Sequence, residues 1–175
     1  MLLSRDELIR TAFRETDRAQ RMKTALSIIL CGIDGLMRGR TALDERKLVL
    51  VEEQLSARVL RVLRCYDAAG WYGPEVLGLI LPGCNSFSAF AMAERLNSVV
   101  FGAEFRAGDE DLVLTACFGV AGSGGRSPLV VMRNAEAALN KAKEIGQGAI
   151  ERSSYDAEPD PATLRMPIMN ELSSF

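Results

Sequence analysis

The sequence predicts an α+β domain, and three observations carry that expectation. Helical and strand patterns follow one another as helix, strand, helix, strand, strand, helix, strand, helix. The two adjacent strands are joined by Gly73-Pro74-Glu75-Val76, a tight turn that makes them a hairpin in the middle of the chain. At 175 residues, with 48% hydrophobic and 25% charged side chains, the chain suits one domain with a sizeable core. Mixed order around a central hairpin fits the split βαβ arrangement, two βαβ halves sharing one sheet.

Each element has its own warrant. Ser4–Arg21 reads as a helix, with Ser4 and Glu7 forming a capping box and Leu8, Ile9, Ala12 and Phe13 giving an apolar face. Leu26–Ile33 is aliphatic throughout and reads as a buried central strand; Asp34 and a loop with Gly35 and Gly39 follow. Leu43–Leu63 is predicted as the longest helix, with Leu48, Val51, Leu55, Val59 and Val62 at helical spacing. The hairpin strands are Ala68–Tyr72 and Val76–Leu81, with Pro74 suited to the second turn position and Pro82-Gly83 ending the second strand. Ser86–Val99 is a helix capped by Ser86, and Leu112–Val120 a strand. Gly122–Arg126 reads as a flexible linker, since its glycines lack the Lys-Ser/Thr of a phosphate loop. Ser127 and Pro128 open a last helix that Gly146 stops. Residues 1–152 form the expected domain. Residues 153–175, interrupted by Pro159, Pro161 and Pro167, form a tail with Leu164 and Ile168 as its docking residues.

Composition excludes several classes of function. The net charge of −2 and the lack of a basic cluster argue against bulk nucleic-acid binding. The chain has no histidine, which removes histidine-based triads and bases. Cys31, Cys65, Cys84 and Cys117 have no zinc-site spacing; Cys31 and Cys117 read as small buried hydrophobes. The apolar runs are too short to span a bilayer, and the N-terminus lacks a signal-peptide layout, so a reduced cytoplasmic setting is expected.

The stretch from Arg64 to Gly83 organises the rest. Its Tyr66-Asp67-Ala68-Ala69-Gly70-Trp71-Tyr72-Gly73 resembles the approach to the signature of the GGDEF family, the bacterial diguanylate cyclase domain. Further matches follow the family order. Leu3-Ser4-Arg5 resembles the N-terminal box, Leu26–Asp34 the first strand, and Ala93-Glu94-Arg95-Leu96 the family's Ala-Glu-Arg-Ile/Leu helix. Leu114–Ala121 fits its Thr-x-Ser-x-Gly-Val-Ala strand, and Ala137–Lys143 its Ala-Leu-Tyr-x-Ala-Lys helix. The resemblance covers roughly Leu2 to Glu151. It implies a central, mainly antiparallel sheet wrapped by helices. Active members join two GTP molecules into cyclic di-GMP, with magnesium and triphosphate held by the hairpin and first strand.

Set against that family, the catalytic positions are depleted. The signature Gly-Gly-Asp/Glu-Glu-Phe stands here as Gly73-Pro74-Glu75-Val76-Leu77. One metal carboxylate of the family is Gly32 here, while the other survives as Glu75. Asp34 shares the strand face of Gly32 but sits about 6–7 Å further on. Val76 replaces the signature acid and cannot take a proton. Pro74 removes an N–H and adds a ring where the backbone should approach the nucleotide. The guanine-reading Asn is not evident, Arg40 standing near its place; Lys143 matches a phosphate-binding lysine, but Gln147 stands where Arg is usual. The resemblance therefore implies a vestigial active site (Gly32, Gly73, Pro74, Glu75, Val76, Lys143), no catalysis and no magnesium.

A binding site is implied in its place. The family's inhibitory site for cyclic di-GMP uses Arg-x-x-Asp, the Asp six residues before the signature, and Arg64-Cys65-Tyr66-Asp67 has that spacing from Gly73. Arg95 matches the second arginine. Arg forks pair with guanine O6 and N7, and a carboxylate accepts from guanine N1–H and N2–H. Spacing alone favours a solvated surface ion pair, just as it favours a solvated turn residue for Glu75 and a surface lysine for Lys143; it is the family register and Arg95 that favour the ligand site. Three functions follow as alternatives: a silent cyclic di-GMP receptor, with a homodimer or a signalling protein as partner; a nucleotide-independent interaction module with Trp71, Pro74 and Val76 filling the old cleft; and a diguanylate cyclase with an unusual site.

Overall fold

A computed structural model of the chain describes residues 1–36 and 45–154. Arg40, the start of the second helix at Leu43, and Leu164 and Ile168 of the tail lie outside the described residues. The elements are α1 (Arg5–Met22), β1 (Leu26–Asp34), α2 (Glu45–Val62), β2 (Ala68–Gly73), β3 (Val76–Pro82), α3 (Ser86–Val100), β4 (Phe105–Ala107), β5 (Glu110–Leu112), β6 (Thr115–Gly122), α4 (Pro128–Ile145) and β7 (Ile150–Arg152). Five strands form one sheet in the order β2-β3-β1-β6-β7, antiparallel except for the parallel β6–β7 pair. The expected α+β fold with a mainly antiparallel central sheet is present.

Strand alternation sorts the side chains of β1 into two layers. Ile29, Cys31 and Ile33 join Val51, Leu55 and Val59 of α2 and Ala89, Ala93 and Leu96 of α3 in one core. Ile28 and Leu30 join Leu8 and Ala12 of α1 and Val131, Ala135 and Leu139 of α4 in the other. β1 is buried on both faces, which is why its sequence is aliphatic without alternation. Gly119 of β6 lets α4 settle onto the sheet: a Cβ there would stand 2.3 Å from both the Ala135 carbonyl and the Leu139 amide.

Several expectations are corrected. Asn85, not Ser86, caps α3, its side chain accepting from the Ser88 amide at 2.8 Å. The strand expected at 112–120 is two elements: Leu112 ends β5 of a separate β4–β5 hairpin, and β6 begins at Thr115. α2 has 18 residues over its described span, as α1 and α4 have; its expected start at Leu43 lies outside the described residues. Gly122–Arg126 is a pinned turn rather than a flexible linker. Gly122 completes β6, the Arg126 amide bonds the Ser123 carbonyl, and Gln20 Nε2 donates to the carbonyls of Gly125 and Arg126, each at 2.9 Å. The parallel strand β7 lies within the stretch read as the domain's end.

Candidate functional site

The positions that the sequence suggests as a vestigial active site converge at one end of β1. Gly32 is flanked by Val76 of β3 and Cys117 of β6. The Pro74-Glu75 turn is tied over this end, because the Ile33 amide donates to the Glu75 carbonyl at 2.8 Å. α4 then brings Lys143 across the sheet. A Cβ on Gly32 would lie 2.8 Å from Lys143 Cε and 3.4 Å from its Nζ. Lys143 is exposed on α4, and its tip stands in the space a carboxylate at residue 32 would claim. Asp34 is half-buried and pairs with Thr115, one strand step beyond that space. Among the described residues no group of three His, Cys, Asp or Glu side chains is placed to hold a metal ion.

The hairpin is fixed from both faces of the sheet. Trp71 packs against the α2–α3 layer, while Tyr72 and Val76 pack against the α1–α4 layer. The Arg5 Nε donates to the Tyr72 carbonyl at 3.0 Å, and the Tyr72 hydroxyl donates to Glu136 of α4. Burial first, then the hydrogen bond to the Glu136 carboxylate, push the Tyr72 phenol up to about 12. Leu3 adds a short parallel bridge at the β2 edge, and Gly70 permits it: a Cβ there would stand 2.6 Å from the Leu3 carbonyl oxygen.

Arg64 and Asp67 are brought together in the turn after α2. The Arg64 amide donates to Asp67 Oδ2 at 2.8 Å, and the Asp67 amide donates back to the Arg64 carbonyl at 3.1 Å. This reciprocal closure fixes the carboxylate on its own backbone. The Arg64 guanidinium is directed outward, donating to the exposed Tyr66 hydroxyl at 3.2 Å. Burial raises the Asp67 carboxyl above its ordinary range, opposed by the Arg64 amide and charge. Arg95 is exposed on α3, about 13 Å along the helix from Ser86. Its guanidinium makes no hydrogen bond or ion pair with Arg64 or Asp67 among the described residues. The link between the two places is Cys84, whose thiol feels both Arg64 and Asp67 and which immediately precedes the α3 cap.

The sequence reading missed what α1 contributes here. A groove of about 510 Å³ is lined by Arg10, Arg14, Tyr66 and Asp67, and an adjoining one of about 590 Å³ by Arg18, Tyr66 and Gly83. The signal was present in the i, i+4 spacing of Arg10, Arg14 and Arg18. Glu15 moderates this row, bonding Arg14 at 3.1 Å and Arg18 at 3.7 Å.

The family model of the diguanylate cyclase GGDEF domain matches residues 2–149. The chain belongs to the GGDEF family. Solved GGDEF domains share its fold. The domain of DgcB from Caulobacter crescentus, in complex with c-di-GMP, superposes with a TM-score of 0.79 at 22% identity over 87% of this chain and 89% of that one. The active GGEEF domain of a diguanylate cyclase from Vibrio cholerae gives 0.76 at 24% identity over 87% and 98%. The diguanylate cyclase SiaD from Pseudomonas aeruginosa, in complex with its activator SiaC, gives 0.78 at 26% identity over 86% of this chain and 58% of that one. A search of curated proteins finds no match. No helix of this GGDEF domain, among the described residues, is long and apolar enough to cross a membrane.

Proposed function

We propose that this GGDEF domain is a catalytically silent receptor for cyclic di-GMP, binding through Arg64, Asp67 and Arg95. The observation that carries the reading is the closed Arg64–Asp67 turn. It holds a carboxylate and an outward guanidinium side by side without occupying the guanidinium's fork with that carboxylate. Arg64 takes guanine O6 and N7, Asp67 accepts from N1–H and N2–H, and Arg95 meets a second base or a phosphate. Tyr66, 57% exposed, offers its ring to a guanine face. The complex of the related DgcB domain with c-di-GMP supports the choice of ligand. The ligand's far face is left for a second copy or a partner signalling protein.

The silence rests on the cleft. Magnesium needs hard oxygen donors, commonly two carboxylates with the substrate phosphates. Here the ammonium of Lys143 borders the place of one carboxylate, and like charge opposes a divalent cation. Val76 supplies no acid at the signature. The interaction-module reading fares worse, since Trp71 and Val76 pack into opposite layers and do not fill one cleft together.

The test has two arms. Incubation of the full chain with GTP and magnesium or manganese, resolved by nucleotide chromatography, is expected to yield no cyclic di-GMP; steady production would overturn the silent reading. Calorimetric titration with cyclic di-GMP is expected to show saturable heat that Arg64→Ala removes.

A further inference from the structure

A further groove, of about 570 Å³, lies beyond the N-terminal end of β1, remote from the Gly32 end of that strand. It is lined by the end of α1, the start of α3 and the Gly122–Arg126 turn. We infer that this groove is a binding site for the phosphate group of a small metabolite. Its volume falls within the range of small-molecule sites.

Two buried hydroxyls point to a ligand. Ser86 and Ser123 both line the groove and are only 8% and 3% exposed. Neither hydroxyl makes a hydrogen bond among the described residues, and neither oxygen is among the fully buried unpaired atoms, so both open onto the groove. The start of α3 adds donors to the same place. Asn85 caps the helix through the Ser88 amide, which leaves the Ser86 and Phe87 amides without an intrahelical acceptor. Such a helix start favours an anion.

The charges agree. Lys23 and Arg126 are the ionisable side chains lining the groove, and no carboxylate lines it. Lys23 makes no ion pair among the described residues. Arg126 folds back across the turn, and a Cβ on Gly124 would lie 2.8 Å from its Nη2. At the end of α1 the Lys23 and Thr24 amides bond the carbonyls of Gln20 and Ala19. Ala19, Ala25 and Leu26 supply an apolar wall for the rest of the ligand. A phosphate group thus meets hydroxyls, amides and an ammonium together, the donor set that charge-assisted hydrogen bonding uses best.

The test is a ¹H–¹⁵N NMR titration of the full chain with inorganic phosphate, against chloride at matched ionic strength. Saturable shifts are expected at the Ser86, Phe87, Ser123 and Gly124 amides, with Arg64–Asp67 unmoved. Lys23→Glu and Ser123→Ala are each expected to weaken binding roughly tenfold, while the dispersed spectrum of the folded chain is retained. No saturable shift in the wild type overturns the inference. So do variants that titrate with the wild-type midpoint, and so does a response spread over all basic residues alike.

Discussion

Lys143 and Gly32 illustrate the residue scale. The loss of a carboxylate at position 32 is legible in the sequence, but the lysine tip that fills its space is not, because only the packing of α4 on Gly119 sets their separation. Gly32→Asp alone is therefore expected to form an ion pair with Lys143 rather than a metal site. Thermal unfolding with and without magnesium checks this, and a magnesium-dependent rise in Tm would contradict it. At the other site, Arg64→Ala is expected to remove measurable cyclic di-GMP binding, since it takes away the bidentate base contact on which the site is built. Arg64→Lys is expected to lose nearly as much, since an ammonium lacks the planar fork. The cap of α3 was misread for a residue-scale reason: Asn85 and Ser86 are both good caps, and only the Asn85 Oδ1–Ser88 amide bond separates them.

At the scale of elements, hydrophobic period predicted most of what is found. The face of α2, the buried β1 and the β2–β3 hairpin were readable, and so were Leu8 and Ala12 of α1, but Phe13, read onto the same face, is exposed. The elements missed, β4, β5 and β7, are three residues each, too short for any period to declare itself. What holds β4 also lies far off in sequence. Arg58 of α2 donates to the Val100, Ala103 and Glu104 carbonyls and sits 4.1 Å over the Phe105 ring. Gly119→Ala is expected to destabilise the fold by about 3 kcal/mol, as overpacking against backbone does, measured by urea unfolding; a change below about 1 kcal/mol would show that α4 moves freely. The Tyr72–Glu136 tie between hairpin and α4 has a pH signature. Because folding raises the Tyr72 phenol from 10 to about 12, its contribution is complete below pH 10 and lost as pH climbs towards 12. Alkaline unfolding curves should show that loss in the wild type and a smaller one in Tyr72→Phe.

For the molecule as a whole, two layers of helices on one sheet put Gly32, Val76 and Lys143 at one end of β1 and the Arg64–Asp67 turn at the end of α2. The sequence revealed the members of each site by order and spacing. It did not reveal the α1 arginines beside Asp67, because their neighbourhood is created by the docking of α1 on β2 and β3. On the proposed function, the physical separation of the two places lets recognition persist without turnover. The most direct measurement is calorimetric titration of the full chain with cyclic di-GMP. The account predicts saturable binding with more than one ligand per chain and no such heat after Arg64→Ala. Absence of heat in the wild type at about 50 μM ligand, a concentration at which even a complex worth roughly 7 kcal/mol would be well populated, would contradict it.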